Sequence, residues 1–346
     1  MKRSLRILTV LLVAAIVTAS FAFWYVNHVL DASLTIPEEG VVFEIRAGSA
    51  LSTIGDELAG QGILAHPKIF RWYGQLAGHA GSVHAGEYLI ETGTSPRTLL
   101  DKFVSGDVKL YSFTIVPGWT FREMITALSA HPAIEHSITP EDWPALLESL
   151  MAKETHPEGM FLPETYRFPK GTSDVNILRQ SFELMDETLD AEWAVRDVGL
   201  PISDPYEALV LASIIEKETA RADERAKISG VFVRRLQKRM RLQTDPTVIY
   251  GIGEAFDGNL TRRHLQTDTP YNTYTRAGLP PTPIALPGKA AINAALHPAA
   301  GGELYFVATG LGDGSHKFSE TKDQHDAAVR EYLARQRAHK AKDQGK

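Results

Sequence analysis

One apolar stretch, residues 208–215, constrains the fold of this chain most strongly. Its residues are apolar at every position except Ser213, and a helix that is apolar on all sides has to be enclosed by the rest of its domain. Glu216, Lys217 and Glu218 follow at once, so the same helix carries two carboxyl groups to the edge of a hydrophobic core. Desolvation there raises a carboxyl pKa, which is how a protein prepares a general acid.

Helical spacing indicates which of the two acids faces the apolar surroundings. Residues three and four apart share a face of a helix. Glu218 therefore lies over Ile214 and Ile215, whereas Glu216 lies over Ala212 and a serine. We expect Glu218 to have the raised pKa. Spacing alone leaves a second interpretation open, in which both acids form the solvated end of a buried helix.

Composition narrows the class of protein. With 346 residues, 44% of them hydrophobic, the chain can build two or three domains. A net charge of -6 argues against nucleic acid as the main partner. The chain has no cysteine, which excludes disulfides, zinc-thiolate sites and cysteine nucleophiles. Its histidines lack the His-Glu-x-x-His spacing of a zinc-binding helix, so we expect no metal site and no other cofactor.

An uncharged run at residues 7–26 follows a short basic segment near the N-terminus. About 20 apolar residues are enough to cross a bilayer as a helix. Trp24 and Tyr25 at the far end suit the membrane interface, and the basic flank places the N-terminus in the cytoplasm. We therefore predict a transmembrane anchor. A cleaved signal peptide ending near Ser20 and Ala22 is the alternative, although the apolar run is longer than the roughly 7–15 residues of a signal core.

A local unit recurs in the region after the anchor. An alternating apolar strand leads to a glycine turn, a serine or threonine cap and a short amphipathic helix. Its landmarks are Phe43, Gly48 and Ser49 in one copy, Phe113, Gly118 and Thr120 in another, and Gly93 and Ser95 in a looser third. The pattern predicts an α+β fold. Such units resemble LysM-like modules, which bind glycan chains; a generic α+β packing unit is the alternative.

Aromatic, hydroxyl and amide side chains cluster around rigid turns beyond the central helix. Residues 242–251 indicate a polar turn followed by a strand, and residues 271–275 and 278–281 combine tyrosines, threonines and an asparagine with prolines. Flat rings beside hydroxyl and amide groups suit a sugar-binding cleft; a proline-rich surface loop is the alternative. An intervening amphipathic helix has a basic face with Arg234 and Arg235, which we expect to be solvated; steering of an anionic polymer is the alternative.

Five nearly uninterrupted strings occur in order along the chain. They are Ala-Ser-Ile-Ile-Glu-Lys-Glu-Thr at 212–219, Arg-Leu-Gln-Thr-Asp-Pro-Thr-Val-Ile-Tyr-Gly at 241–251, Tyr-Asn-Thr-Tyr-Thr at 271–275, Gly-Leu-Pro-Pro at 278–281 and Ala-Leu-His-Pro at 295–298. Together they resemble the endolytic murein transglycosylase family, also called MltG or YceG-like. The catalytic acid of that family matches the second glutamate of Glu-Lys-Glu, which is Glu218 here. Relatives usually have Pro-Asp-Thr where this chain has Pro163-Glu164-Thr165.

The resemblance implies a single-pass protein of the inner membrane, with its N-terminus in the cytoplasm and its catalytic domain in the periplasm. It divides the chain into a cytoplasmic stub and transmembrane anchor at 1–30, a LysM-like subdomain at 38–112, a mixed α+β catalytic domain at 113–335 and a charged tail at 336–346. The family cleaves the bond between N-acetylmuramic acid and N-acetylglucosamine inside nascent peptidoglycan strands and leaves 1,6-anhydromuramyl ends. The implied partners are peptidoglycan strands, the inner membrane and penicillin-binding synthases, beside which the enzyme terminates strand elongation.

One carboxyl group is enough for a reaction of this type. Glu218 protonates the leaving glycosidic oxygen and then, as a carboxylate, takes the proton of the muramyl hydroxymethyl group as that oxygen closes on the anomeric carbon. Glu216 lies about 200° around the helix, too far to flank the same sugar. The expected supporting or substrate-binding residues are Glu216, Gln243, Thr244, Asp245, Tyr250, Asn272, Tyr274 and Glu164.

Two other functions are open at this point. A hydrolytic muramidase needs a second carboxylate, for which Asp245 and Glu164 are the candidates. A membrane-anchored scaffold would bind peptidoglycan through its LysM-like part and recruit synthases without cleaving the strand. The specific strings lie in the predicted catalytic domain and not in the recurring units, which favours an enzyme over a scaffold.

Overall fold

The chain folds into two compact units. The structure, a computed structural model, describes residues 2–344. One unit comprises the chain up to residue 111 together with residues 167–171, and the other comprises residues 112–166 and the chain from residue 172 onwards. The mixture of helices and short strands confirms the predicted α+β class. Of the predicted anchor and tail segments, Met1, Gly345 and Lys346 lie outside the described residues.

The first unit begins with a long helix and continues with short strands and helices. In chain order its elements are α1 (Lys2–Asp31), β1 (Val41–Ile45), α2 (Leu51–Gly60), α3 (Pro67–Leu76), β2 (Gly86–Ile90) and α4 (Pro96–Ser105). β1 and β2 pair as antiparallel strands, with Val41 opposite Ile90. The core of this unit gathers around the fully buried rings of Phe70, Tyr88 and Phe103.

Helix α1 contains the predicted anchor. Its residues Leu5–Asp31 form a span long and apolar enough to cross a membrane. The apolar side chains of this span are exposed, with Phe23 at 74% of its full area, so no protein core covers them. The far end of the helix is tied to the unit, because the Arg97 guanidinium donates hydrogen bonds to Asp31 at 2.8 Å and to Asn27 at 3.0 Å.

The recurring strand-turn-helix unit is present. β1 leads through Gly48 into α2, and β2 leads through Gly93 into α4. These glycines have φ angles of +79° and +87°, in the left-handed region that glycine enters without strain. The Ser95 hydroxyl caps α4 by accepting a hydrogen bond from the backbone N–H of Thr98, which satisfies one of the unpaired groups at a helix start. The cap expected at Ser49 is wrong, because α2 has Ala50 as its N-cap and no side-chain hydrogen bond there. The order of strand, glycine turn and helix is confirmed, while the likeness to LysM modules stays a prediction.

The second unit contains the predicted central helix and the elements that enclose it. In chain order the remaining elements are β3 (Leu110–Thr114), α5 (Phe121–Ser129), β4 (Ile134–Glu135), α6 (Trp143–Ser149), β5 (Thr165–Pro169), β6 (Thr172–Ser173), α7 (Asp174–Ala194), α8 (Pro205–Glu218), α9 (Arg225–Gln237), α10 (Asp245–Ile252), α11 (Arg262–Gln266), α12 (Lys289–Leu296), β7 (Tyr305–Ala308), β8 (His316–Ser319) and α13 (Lys322–Gln344). β4 and β6 pair in parallel, and β7 and β8 pair antiparallel. A further copy of the recurring unit runs from β3 through Gly118 to α5.

Helix α8 is the core of the second unit. None of residues 208–215 is more than 2% exposed, which confirms the predicted buried helix. α12 packs along α8, and α7, α9 and α10 also contact it. Ser213, the polar residue of the run, donates to the Val210 carbonyl at 2.7 Å and accepts from the Ile284 N–H at 3.0 Å. Its hydroxyl is therefore buried with its hydrogen bonds made.

The strand predicted within residues 242–251 is wrong, because Asp245–Ile252 forms helix α10. Pro246 lies in the first turn, where its missing N–H leaves no hydrogen bond unmade. Asp245 adds a negative charge at the positive end of the helix dipole. Packing of α10 against α8 outweighs the strand propensity of its β-branched residues, a common result because strand propensity depends strongly on context.

Candidate active site

A cleft of about 390 Å³ opens at the C-terminal end of α8. We call it the Glu218 cleft; its lining residues are Glu218, Arg235, Leu242, Gln243, Thr244, Asp245, Tyr274, Tyr305, Phe306, Lys322 and His325. They come from α8, α9, the loop before α10 and the first residue of α10, β7, α13 and the loop that carries Tyr274. The cleft thus brings together five of the residues expected from the sequence: Glu218, Gln243, Thr244, Asp245 and Tyr274.

Glu218 is the last residue of α8, at the point where the buried helix reaches the cleft. Burial raises the pKa of its carboxyl group from an ordinary 4.5 to about 7, even though the Thr244 hydroxyl and the nearby Arg235 charge act in the opposite direction. The nearby Asp245 carboxylate raises it further. A carboxyl group that is about half protonated at neutral pH can give and take a proton there, which is what acid-base catalysis requires.

One carboxyl oxygen of Glu218 is held in place. The Thr244 hydroxyl donates a hydrogen bond to Oε1 of Glu218, and Thr244 is itself only 2% exposed. Among the described residues, none hydrogen-bonds Oε2 of Glu218. The carboxyl group is therefore held through Oε1 and has Oε2 available to a molecule in the cleft.

Glu216 faces another part of the unit. Its side chain is only 8% exposed, and its Oε2 accepts a hydrogen bond from the Gly288 N–H at 3.0 Å, next to the start of α12. Arg225 lies 3.9 Å from its other carboxyl oxygen. Glu216 does not line the Glu218 cleft, so its contacts join α8 to α12 and α9.

The loop before α10 has an unusual backbone. Gln243 has φ +52°, and a non-glycine residue in this region stores strain that often accompanies a functional site. The buried Thr273 holds the loop in this shape. Its carbonyl accepts from the Gln243 N–H at 3.2 Å, and its hydroxyl accepts from the Thr244 N–H at 3.1 Å. Thr273 therefore positions the donor that fixes Glu218.

Asp245 and Tyr274 form a second polar pair in the cleft. The Tyr274 hydroxyl donates to Oδ1 of Asp245 at 2.6 Å. Asn272 holds the backbone next to this pair. Its Oδ1 accepts a hydrogen bond from the Tyr274 N–H at 2.9 Å, and its Nδ2 donates to backbone carbonyls, including that of Thr267 at 2.7 Å. Asn272 is fully buried and does not line the cleft. Its contacts shape the turn that presents Tyr274.

Two other expected residues also lie outside the cleft. The Tyr250 hydroxyl donates to Oε2 of Glu158 at 3.1 Å, and its ring contacts that of Tyr271 at 4.9 Å between centroids. Glu164 is exposed, and its backbone carbonyl accepts from the Ile115 N–H at 3.0 Å. Neither side chain is among those that line the cleft.

Arg235 lines the cleft, although the sequence did not indicate it as a site residue. The prediction that the Arg235 side chain is solvated is wrong. Arg235 is only 7% exposed, because its Nε donates to the Leu304 carbonyl at 2.6 Å and its Nη1 to the Leu242 carbonyl at 2.7 Å. The spacing of residues along α9 could have indicated this burial. Arg235 lies three and four residues after Phe232 and Val231, on the apolar face of α9, so it points towards the core.

Glu158 is a second buried acid, and it is not among the site residues expected from the sequence. It is 3% exposed, and its carboxyl group accepts hydrogen bonds from the Phe121 N–H at 2.9 Å and from the Tyr250 hydroxyl. Burial raises its pKa from an ordinary 4.5 to about 7. Glu158 is not a lining residue of the cleft, so this acid joins α5 to α10 inside the unit.

Three histidines of the second unit, His297, His316 and His325, have an acidic partner or a ring contact. Nδ1 of His316 lies 2.7 Å from Glu224, and Nδ1 of His297 lies 2.9 Å from Asp197. The ring of His325 stacks on another aromatic ring. Across residues 2–344, no group of three or more histidine, aspartate and glutamate side chains is arranged to hold a metal ion.

Comparison with known proteins places this geometry in a family. The sequence model of the YceG-like family matches residues 43–331. An endolytic murein transglycosylase of Bacillus subtilis is 31% identical over 337 residues, which cover 90% of each chain. An endolytic murein transglycosylase of Streptococcus pneumoniae is 27% identical over 363 residues, covering 94% of this chain but only 65% of that protein.

A solved structure agrees with the sequence matches. The crystal structure of a YceG-like protein from Listeria monocytogenes superposes with a TM-score of 0.52 at 29% identity, covering 84% of this chain and 99% of that chain. The match to the family model includes residues of both units and every residue that lines the Glu218 cleft. The chain therefore belongs to the YceG-like family.

Proposed function

We propose that this protein is an endolytic murein transglycosylase, which cleaves the bond between N-acetylmuramic acid and N-acetylglucosamine inside a peptidoglycan strand. The names of its relatives support this function. The observation that carries it is Glu218, a carboxyl group with a pKa of about 7 that lines a cleft and has one oxygen held by Thr244. No cofactor takes part in the proposed reaction.

The first step is protonation of the leaving group. Oε2 of Glu218 donates its proton to the oxygen of the glycosidic bond, and the bond from that oxygen to C1 of the muramyl ring breaks. The N-acetylglucosamine part leaves with a new hydroxyl group. Positive charge develops on the muramyl ring as the bond breaks, and the carboxylates of Glu218 and Asp245 at the cleft stabilise it.

The second step closes the anhydro ring. The muramyl C6 oxygen forms a bond to C1, and the Glu218 carboxylate takes the proton that the C6 hydroxyl loses. Glu218 is thereby protonated again, and no water is consumed. We assign Gln243, Thr244, Asp245 and Tyr274 to the positioning of acid and substrate because they line the cleft. Glu216, Tyr250, Asn272 and Glu164 act from outside it, as supports of the surrounding elements.

A hydrolytic muramidase is the second candidate, and one observation favours it. Asp245 lines the same cleft as Glu218, so a second carboxylate is available to activate water. The Tyr274 hydroxyl donates to Oδ1 of Asp245 at 2.6 Å, so one oxygen of that carboxylate is already held by the protein.

The products of digestion distinguish the two functions. When the protein acts on purified peptidoglycan strands, we expect new muramyl ends that are lighter by one water than hydrolytic ends and resist reduction by borohydride. Mass analysis with and without borohydride measures both properties. Reducible muramic acid ends as the main product, together with an Asp245→Asn variant as inactive as Glu218→Gln, would establish the hydrolase instead.

We propose that α1 anchors the protein in the inner membrane, with the N-terminus in the cytoplasm and the rest of the chain in the periplasm. The apolar span Leu5–Asp31 and the basic residues before it support this placement. Protease added to spheroplasts should then degrade the protein. In membrane preparations from untreated cells, the protein should sediment with the membranes. A soluble form that begins near Phe23 would instead indicate cleavage of a signal peptide.

We further propose the domain limits 1–30 for the anchor, 38–112 for a LysM-like subdomain, 113–335 for the catalytic domain and 336–346 for the tail. The order β1, α2, α3, β2, with β1 and β2 antiparallel, supports a LysM-like arrangement in the first unit. The expected partners are peptidoglycan strands and penicillin-binding synthases. Crosslinking in intact cells followed by mass spectrometry tests the synthases, and their absence from the crosslinked products would contradict that association.

A further inference from the structure

One wall of the Glu218 cleft is built from side chains that the proposed reaction does not use. Its members are Arg235 of α9, Tyr305 and Phe306 of β7, and Lys322 and His325 of α13. Helix α9 and helix α13 both contact β7, so these residues form one continuous surface. We call it the basic wall, and its chemistry combines a buried cation, an exposed cation and aromatic rings.

Arg235 is the centre of the basic wall. Its guanidinium donates through Nε and Nη1 to backbone carbonyls, and it lies over the Tyr305 ring at 5.1 Å. No residue of the described chain hydrogen-bonds Nη2, and no carboxylate there forms an ion pair with Arg235. A buried charge is costly without a counter-charge. The cleft therefore presents a cation with an unused donor.

His325 and Lys322 extend the basic wall. Nδ1 of His325 is buried and has no hydrogen-bond partner, while its ring stacks on Tyr305 at 5.2 Å. Burial lowers the pKa of His325, so the ring is a neutral polar group at pH 7. The Lys322 side chain is 62% exposed and pairs with Asp326, so it places a solvated cation at the rim of the cleft.

We propose that the basic wall binds a carboxylate carried by the lactyl substituent of the muramyl residue being cleaved. This inference rests on the proposed function, because the reaction requires a muramyl ring with C1 beside Glu218. Every muramyl ring carries a lactyl group at O3, whereas N-acetylglucosamine has no acidic group. The carboxylate is that of the lactyl group itself in a strand without peptides, or one on the stem peptide in a strand that retains them.

Binding of a substrate carboxylate changes the protonation of Glu218. The Arg235 charge lowers the pKa of Glu218, so in the empty cleft it favours loss of the catalytic proton. A substrate carboxylate at Arg235 compensates that charge and favours the protonated acid. The muramyl substituent thus both orients the sugar and prepares Glu218 to donate.

The test measures binding to a full-length Glu218→Gln protein, which holds its ligand without cleaving it. The first ligand is a peptide-free muramyl oligosaccharide with free lactyl carboxylates, and the second is the same oligosaccharide after carbodiimide coupling to methylamine, which makes the carboxylates neutral. We expect the neutral ligand to bind about tenfold more weakly, as the loss of one desolvated charge contact implies. Equal affinity for the two ligands overturns the proposal.

A charge reversal locates the contact. Lys322→Glu in the same Glu218→Gln background should weaken the carboxylate ligand about tenfold and leave the neutral ligand unchanged. Arg330→Glu is the matched control, because Arg330 is exposed on the same helix and does not line the cleft. An equal effect of the two substitutions, or an equal effect of Lys322→Glu on both ligands, also overturns the proposal.

A third ligand identifies the source of the carboxylate. In a strand that keeps its stem peptides, the lactyl carboxyl group is an amide and only the peptide supplies carboxylates. A Lys322→Glu effect on the peptide-free strand alone assigns the lactyl carboxylate, whereas an effect on the peptide-bearing strand assigns the stem peptide. Anhydromuramyl products from the unmodified enzyme are scored separately, so a failure of the proposed function is distinguishable from a failure of the basic wall.

Discussion

Glu218→Gln should lower the rate of strand cleavage by about 10²–10⁴-fold, the range typical of a lost general acid, and leave the fold intact. Glutamine has the size of glutamate and its amide oxygen still accepts the hydrogen bond from Thr244, but it has no proton to transfer. The measurement is the release of anhydromuramyl ends per unit time, alongside the melting temperature of each protein. A Glu218→Gln variant that retains most of the activity would remove Glu218 as the acid.

The matched control for this prediction is Glu216→Gln. Glutamine at that position still accepts from the Gly288 N–H, and the side chain does not line the cleft, so we expect a much smaller loss of activity. The unmodified enzyme supplies a further check. Because the pKa of Glu218 is about 7, the rate should fall about tenfold for each pH unit above neutrality. A rate that stays level up to pH 9 contradicts a protonated Glu218.

Glu158→Gln should remove a large part of the dependence of stability on pH. The pKa of Glu158 is about 7 in the folded protein and 4.5 ordinarily. Below pH 4.5 the carboxyl group is neutral in both the folded and the unfolded state, so its burial causes no loss of stability from ionisation. As the pH rises to 7 the unfolded chain releases the proton first, and the free energy of unfolding falls by about 3 kcal/mol. Glutamine cannot ionise, so this decrease disappears in the variant.

Chemical denaturation of the full-length protein in detergent, at pH 5 and pH 8, measures this effect. The signal to follow is the unfolding of the second unit, which contains Glu158. Glu164→Gln is the control, because Glu164 is exposed and its loss should leave the decrease unchanged. If Glu158→Gln loses as much stability between the two pH values as the unmodified protein, the carboxyl group is already ionised in the fold and the prediction fails.

Family strings and helical spacing identify Glu218 from the sequence alone. The apolar run before it predicts a buried helix, and the end of that run predicts where the helix leaves the core. Spacing then separates Glu218 from Glu216, and the two carboxylates do lie on different sides, one at the cleft and one against Gly288.

Local structure could be predicted where the interactions that determine it lie within one short segment of the chain. Gly48, Gly93 and Gly118 mark turns that need a left-handed residue, and each is followed by a capped or short helix. The uncharged run at 7–26 becomes part of a single helix in the same way. In each case the deciding interactions lie within a few residues along the chain, so the sequence contains all the information.

The tertiary structure alone decided which distant residues share the cleft. Thr244 reaches Glu218, and Arg235 and His325 join them, only because α9, α10 and α13 pack around the end of α8. Packing also turned the expected strand at α10 into a helix and kept Asn272 and Tyr250 out of the cleft. Such outcomes depend on contacts between elements far apart in the chain, and local propensity and spacing do not describe the energy of those contacts.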